Sequence, residues 1–222
     1  MPRLNQVHRN DAAPNVLELY DLVFGDRDPV DIPGTHSGTV GDYWTSLASS
    51  PDTFSHIVAG FSYYRSRRRK INPIFREIAQ TRVGWLTQST FVFSQHCKTL
   101  RDLGVDEAQI EAIKVGASSS LFSPDERTVL AYVDCLISDH GRTPESLFSE
   151  LRKIMSDEEI IELTYISCMY LTHGVIARAF QLEFDNRDEP VREISGSQGF
   201  FDKKHDWANS SLSPTVRKQT AD

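Results

Sequence analysis

The stretch Glu77–Gly104, EIAQTRVGWLTQSTFVFSQHCKTLRDLG, constrains the fold most, because it reads as two helices joined by a short break. In its second half Phe93, His96 and Leu100 are three and four residues apart, so they share one face of a helix. Glu77 opens the stretch at the edge of an apolar face. The pattern therefore predicts a helical hairpin that places a carboxylate and an imidazole beside apolar surface, where ionisable groups are costly unless they have a use.

Start and stop signals predict helices along most of the remaining chain. Ser50, Ser89 and Asp106 are candidate N-caps, and Ser123 and Ser156 each have a glutamate three residues later, which is typical of a capping box. The predicted helices run over residues 42–48, 51–65, 73–86, 89–103, 106–115, 123–138, 143–154 and 156–184. No convincing pair of strands is present, so the predicted fold class is all-α.

Three regions follow from the distribution of turn residues. Residues 1–40 are rich in turn residues. The segment GDRDPVDIPGTHSGTVGD, residues 25–42, contains four Gly and two Pro. We expect them to form an irregular N-terminal arm over the body of the protein or over a neighbouring subunit. Residues 41–186 form the helical domain, and residues 187–222 are a polar, loosely ordered tail.

Composition narrows the class of protein. The net charge of −7 over 222 residues disfavours nucleic acid and anionic membranes as partners. The basic run over residues 65–70 is most simply a solvated helix end. Three cysteines without a CxxC pair favour a reducing compartment, and no signal peptide or run of about 18 apolar residues is visible. We expect a cytoplasmic protein without a membrane segment.

His96 and Glu77 are the candidate catalytic residues. An imidazole on an inward face can exchange a proton near neutral pH. A buried Glu77 would act as an acid or base itself or pair with His96. The plain alternatives are a satisfied core histidine and a surface glutamate in the first turns of its helix.

Five further residues are candidate substrate-binding groups. Ser89 is most often only a cap, but its hydroxyl is also suited to a substrate oxygen. Gln95 adjoins His96, while Trp85, Tyr170 and His173 are either core residues or part of the same site. Cys97 lies one position beyond His96 and about 100° round the helix, which argues against a thiolate activated by that histidine.

No metal or cofactor is expected. His96 has no histidine or carboxylate four residues later, and the chain contains no HExxH or CxxC spacing. Neither GxGxxG nor GxxxxGK[ST] is present, so no nucleotide-binding loop is indicated.

At these residues the chain resembles the carboxymuconolactone decarboxylase and alkyl hydroperoxidase D superfamily, over roughly residues 42–185. The most specific motifs are Arg76-Glu77, Val83-Gly84-Trp85, Ser94-Gln95-His96, Leu103-Gly104-Val105 with Glu107 and Ile110, Phe122-Ser123-Pro124-Asp125-Glu126-Arg127 and Tyr170-Leu171-Thr172-His173. The resemblance implies an all-helical bundle that assembles as trimers or hexamers around cavities lined by the two central helices. We therefore expect this protein to be a homo-oligomer (dimer, trimer or hexamer).

The resemblance also implies a site. Hydroperoxidase members combine a glutamate, which matches Glu77, a histidine, which matches His96, and a CxxC pair. The cysteine positions fall on Ser89 and Val92, so disulfide-cycling peroxidase chemistry is not expected. What remains suits proton transfer on a small organic acid, lactone or enolisable carbonyl compound, in a cofactor-independent lyase or isomerase. The alternatives are a hydroperoxidase-like antioxidant protein and a non-catalytic binding or assembly module.

Overall fold

The structure, a computed structural model, describes residues 1–186 and 189–194. Every regular element in these residues is helical, which confirms the predicted all-α class. The helices are α1 (Pro14–Phe24), α2 (Asp42–Leu47), α3 (Pro51–Arg65), α4 (Pro73–Leu86), α5 (Thr90–Asp102), α6 (Glu107–Ala112), α7 (Pro124–Ser138), α8 (Glu145–Ile154) and α9 (Asp157–Phe180). Short 3₁₀ turns cover Arg9–Asp11, Gly116–Ser118 and Glu183–Asp185.

Three of the five predicted N-caps are formed. Ser123 and Ser156 each form a complete capping box, and the Ser89 hydroxyl accepts the backbone N–H of Val92. Two predicted caps are wrong. Asp106 accepts no capping hydrogen bond, and the Ser50 hydroxyl bonds the side chain of Thr53 instead of a backbone N–H.

The prediction of an irregular arm over residues 1–40 is wrong for Pro14–Phe24. These residues form α1 because Val16, Leu19, Tyr20 and Val23 recur at helical spacing and are buried. The glycines and prolines that follow α1 indicated turns, so the helical spacing of its apolar residues was overlooked. The contacts divide the described chain after Arg68 rather than at residue 40. Pro2–Arg68 form one compact unit, and the described residues between 69 and 194 form the other.

In the unit that begins at Arg69, α4 and α5 form the predicted hairpin, and α4 also packs on α7 and α9. Gly84 permits the close approach of α4 and α5. A Cβ at this residue would lie 2.4 Å from the backbone nitrogen of Phe93, so any larger residue would force the two helices apart. The apolar core of this unit includes Ile78, Phe93 and Leu100.

The last long helix, α9, ends at Phe180 rather than at residue 184, because Gln181 takes a left-handed conformation. Among the described residues, α9 is the one helix long and apolar enough to cross a membrane, with half of that window buried in the protein. Since α9 packs on α4, α5, α7 and α8, its apolar character is explained by the core it completes.

Part of the predicted loose tail is described. Val191 is buried, and the two carboxylate oxygens of Glu193 accept hydrogen bonds from Arg101 on α5. The backbone N–H of Ile194 donates to the Ser94 hydroxyl at 2.8 Å. Residues 191–194 are therefore held against α5, contrary to the prediction for that part, and most of the predicted tail lies outside the described residues.

Candidate functional site

Glu77 and His96 form a buried pair at the centre of the α4–α5 hairpin. The Nδ1 atom of His96 lies 2.7 Å from Oε2 of Glu77, and both residues are almost completely excluded from solvent. Since an ionised carboxylate only accepts hydrogen bonds, this contact places the proton on Nδ1. In the neutral imidazole the lone pair then lies on Nε2, which is the atom that can take up or release a proton.

Arg76 is the member of the cluster that sequence reasoning did not select as a site residue. Its Nε donates to Oε1 of Glu77 at 2.6 Å, so the two carboxylate oxygens are divided between Arg76 and His96. The guanidinium side chain is only 12% exposed. Its charge balances that of Glu77, which is what permits a carboxylate to be buried at this position. The adjacent Arg–Glu pair in the sequence was the available signal.

Tyr170 and His173 of α9 lie beside His96. The rings of Tyr170 and His96 pack edge to face, with their centroids 4.3 Å apart. The ring centroids of Tyr170 and His173 are 5.1 Å apart. Burial and the nearby His96 lower the pKa of His173 to about 3. His173 is therefore a neutral imidazole at physiological pH.

Ser89 is not placed to bind a substrate oxygen. Its hydroxyl donates to Oδ2 of Asp185 at 2.5 Å and accepts the N–H of Val92, so both functions of the group are in use. Burial raises the pKa of Asp185, while hydrogen bonds from Ser89 and from the N–H groups of Phe91 and Thr90 lower it. The serine and the aspartate together cap α5. Asp185 is distant in the sequence, which is why this pairing was not predicted.

Trp85 does not join the cluster. It packs on Phe93, with ring centroids 6.0 Å apart, and Lys114 lies over its ring. Trp85 is eight residues after Glu77, which puts it about 80° round α4 and on the apolar side. Gln95 is half-buried, and its side-chain nitrogen has no hydrogen-bond partner in the described part of the chain.

Cys97 belongs to the apolar core rather than to the site. Its side chain is fully buried beside Ile78, Phe93 and Leu100. Burial raises its pKa to about 12, so it is a thiol and not a thiolate near neutral pH. This agrees with the angular argument from the sequence.

The described residues contain one group of three or more His, Cys, Asp or Glu side chains that lie close enough together to hold a metal ion. They are His8, Asp28 and Asp31, within 4.8 Å of one another and exposed or half-buried. They belong to the unit Pro2–Arg68, and their contacts with one another include a hydrogen bond between His8 and Asp28.

Comparison with other proteins gives structural relatives but no sequence family. No protein-family model matches the chain, and no curated protein is significantly similar to it. A protein of unknown function from Agrobacterium tumefaciens, whose name suggests AhpD-type antioxidant defence, is 26% identical; the match covers 66% of this chain and 96% of that one, with a TM-score of 0.56. The alkylhydroperoxidase AhpD core of an uncharacterised peroxidase-related protein from Ralstonia eutropha JMP134 is 16% identical, covering 90% and 94%, with a TM-score of 0.64.

This chain has the AhpD-like fold. A further AhpD-like relative is a cysteine-to-alanine variant of the debrominase Bmp8 in complex with 2,3,4-tribromopyrrole. It is 14% identical to this chain, the match covers 81% of this chain and 89% of that one, and the TM-score is 0.60. The AhpD-like fold thus includes at least one enzyme that acts on a small organic molecule.

Proposed function

We propose that this AhpD-like protein is a cofactor-independent enzyme of the carboxymuconolactone decarboxylase-like type. It would use general acid/base chemistry on a small organic acid, lactone or enolisable carbonyl compound, as a lyase or an isomerase. His96 is the general acid/base, and Glu77 orients it. The observation that carries the proposal is the 2.7 Å contact between His96 Nδ1 and Glu77 Oε2 in a buried cluster.

The cluster supports the two states that proton transfer requires. While His96 is neutral, Arg76 balances the charge of Glu77. When Nε2 takes a proton, the imidazolium lies against a carboxylate that stabilises it. Decarboxylation and isomerisation both leave electrons on a carbon beside a carbonyl group, so a hydrogen-bond donor to the resulting enolate oxygen is also needed.

The test is the exchange of the acidic carbon-bound proton of α-acetyl-γ-butyrolactone for deuterium, followed by NMR. Positioned proton transfer contributes about 10²- to 10⁴-fold, so His96→Ala should lower the catalysed rate by that factor. A loss of less than about threefold would remove His96 from the mechanism. His56→Ala changes an exposed histidine and is the matched control.

The hydroperoxidase-like alternative has less support. Its remaining thiol in the hairpin, Cys97, is fully buried and has a raised pKa, which opposes thiolate chemistry. It predicts that peroxide is consumed and that alkylation of Cys97 abolishes the consumption. Peroxide consumption that Cys97→Ala removes would favour this alternative over proton transfer.

A non-catalytic binding or assembly module is the second alternative. In that case the Glu77–His96 contact serves stability alone. Glu77→Gln and His96→Asn would then lower the free energy of unfolding without changing the affinity for any ligand. The binding of α-acetyl-γ-butyrolactone to the two variants, measured beside their urea denaturation, distinguishes this reading.

The proposed homo-oligomer (dimer, trimer or hexamer) is supported by a stripe of exposed residues on α9. These residues are alternately four and three positions apart, the spacing by which helices pack side by side: Ile161, Tyr165, Cys168, Thr172 and Val175. Ile161 is 67% exposed and Val175 55%. Sedimentation velocity should show an oligomer that Ile161→Lys dissociates and Glu158→Lys does not. A cytoplasmic location stays a prediction from the sequence.

A further inference from the structure

Gln80 is a buried polar residue that the mechanism above does not use. It lies on α4, is 0% exposed, and neither its side-chain oxygen nor its nitrogen has a hydrogen-bond partner in the described part of the chain. Leaving an amide unsatisfied in the interior destabilises a protein, and such groups are rare in native structures. A fully buried amide with both ends unused therefore needs a functional explanation.

Ser167 on α9 presents the same anomaly. It is 0% exposed, and its hydroxyl has no partner among the described residues. Its level relative to Gln80 can be inferred because α4 and α9 pack together and run in the same direction. Glu162 accepts the N–H groups of Lys70 and Ile71 just before α4, while a Cβ built on Gly174 would lie 2.8 Å from Oγ1 of Thr87 just after it.

The register follows from that last contact. Gln80 is seven residues before Thr87, and Ser167 is seven residues before Gly174. Seven residues are close to two turns, so each step returns to nearly the same face of its helix. Since a Cβ on Gly174 would meet Thr87, Gln80 and Ser167 fall within about one turn of the same level on the two helices, and neither bonds the other.

This level adjoins the catalytic cluster. Gln80 is one turn after Glu77, and Ser167 is one turn before Tyr170, whose ring touches His96. Each of the two unsatisfied groups is thus one helical turn from a residue of the cluster.

The charges in the cluster indicate what kind of molecule it accepts. Arg76 and Glu77 neutralise each other, and the lowered pKa of His173 keeps that imidazole uncharged. His96 must be neutral to act as a base. A carboxylate on the substrate would then be buried without a compensating charge, which is costly. A neutral oxygen can instead bond an amide and a hydroxyl.

Resting on the proposed function, the geometry points to Gln80 and Ser167 as the substrate-binding pair of this site, taking the oxygen of a neutral carbonyl compound. The amide N–H and the hydroxyl donate to that oxygen, which becomes negative as His96 removes a proton from the adjacent carbon. No other reactant is required, because the proton that His96 accepts returns to the same carbon or to a neighbouring atom.

The experiment compares two probes of similar structure and different charge. α-Acetyl-γ-butyrolactone is neutral, and acetoacetate carries a carboxylate; both exchange a carbon-bound proton for deuterium. The wild-type protein should favour the neutral probe by at least about tenfold in kcat/KM. Gln80→Leu should lower kcat/KM for it about tenfold and Ser167→Ala about threefold. Gln109→Leu makes the same chemical change outside the cluster and should leave the rate unchanged.

Stability provides a second readout that needs no turnover. Because Gln80→Leu removes two unsatisfied buried groups at similar volume, it should raise the urea midpoint by about 0.5 M, and Gln80→Met should do the same. A lower midpoint in both variants would mean that the amide is already satisfied in the free protein, for example by a resident water, and would overturn the inference.

The outcomes separate this inference from the proposed function. If His96→Ala loses exchange but Gln80→Leu does not, the acid/base proposal holds and the binding role of Gln80 is wrong. A preference for acetoacetate would overturn the assignment of a neutral substrate. If the wild type catalyses no exchange, the proposed function fails. The binding role of Gln80 and Ser167 is then tested by the thermal shift that α-acetyl-γ-butyrolactone causes. Binding that Gln80→Leu abolishes supports this role, and no binding by the wild type overturns it.

Discussion

On the side of α4 that faces α7, Arg82 makes four hydrogen bonds, two to the carboxylate of Asp134 and two to the backbone carbonyls of Ile113 and Lys114. On the side that meets α5 and α9, about 140° round the helix, Glu77 bonds Arg76 and His96. Both clusters bury charge on one helix. Only the second includes an imidazole, a side chain that can both accept and donate a proton, so burial of charge alone does not mark a site.

Helix α5 repeats the contrast with two adjacent residues. His96 turns toward Glu77 and Tyr170, and Cys97, one position later, turns into the apolar core. A rotation of about 100° between neighbours is enough to place one in a polar cluster and the other among aliphatic and aromatic side chains. Proximity in sequence is therefore a poor guide to cooperation between reactive groups in a helix.

The largest expected effect is on the α7 side. Arg82→Met should lower the free energy of unfolding by about 3–5 kcal/mol, because it leaves Asp134 and two carbonyls without their partner. Urea denaturation measures the loss, and Arg142→Met, which changes a mostly exposed arginine, should show none. If Arg82→Met is as stable as the wild type, the hydrogen bonds of Arg82 to Asp134, Ile113 and Lys114 do not stabilise the fold.

On the α9 side the main effect should be on activity. Glu77→Gln should reduce the catalysed deuterium exchange about 10²-fold, because a neutral amide stabilises the imidazolium far less than a carboxylate does. The decrease should appear in kcat rather than in KM. Glu150→Gln, on an exposed residue, is the control. An unchanged kcat would place Glu77 with Arg82 among structural charges.

The burial of His173 on the α9 side can be tested by the pH dependence of the free energy of unfolding. Its pKa of about 3 in the folded protein lies below the ordinary histidine value, so between about pH 6.5 and pH 3 the unfolded chain binds a proton that the folded chain does not. Stability is therefore lost on acidification, with a contribution from this residue of up to about 1.4 kcal/mol per pH unit. His173→Gln should remove that part of the slope in urea titrations from pH 6.5 to 4.5, whereas His56→Gln should not. Equal slopes for wild type and His173→Gln would contradict a buried, neutral imidazole.

The smallest effect is expected on the apolar side of α5. Cys97→Ala should cost about 1 kcal/mol of stability, from the loss of a small buried apolar group, and should leave deuterium exchange unchanged. Iodoacetamide should label the exposed Cys168 readily and Cys97 only after unfolding. Rapid labelling of Cys97 in the native protein would reopen the thiol-based alternative.

Local signals predicted the helices well where they agreed with burial. The capping boxes at Ser123 and Ser156 and the serine cap at Ser89 are formed, since a cap depends on residues three positions apart. Turn residues misled the prediction for α1, because its apolar period was outweighed by the glycines and prolines that follow it. The end of α9 was placed late because a left-handed Gln181 leaves no clear signal in the sequence.

The sequence by itself determined the all-α class and the α4–α5 hairpin, since periodicity and caps act over one or two turns. It offered the pairing of Glu77 with His96 only as one possibility. Only the tertiary structure decided the partners of these residues. Arg76 bonds Glu77, and Asp185 accepts the hydroxyl of Ser89. Gln80 and Ser167 are buried without hydrogen-bond partners among the described residues. Such outcomes depend on how α4, α5 and α9 pack, and packing is set by contacts between residues far apart in the chain.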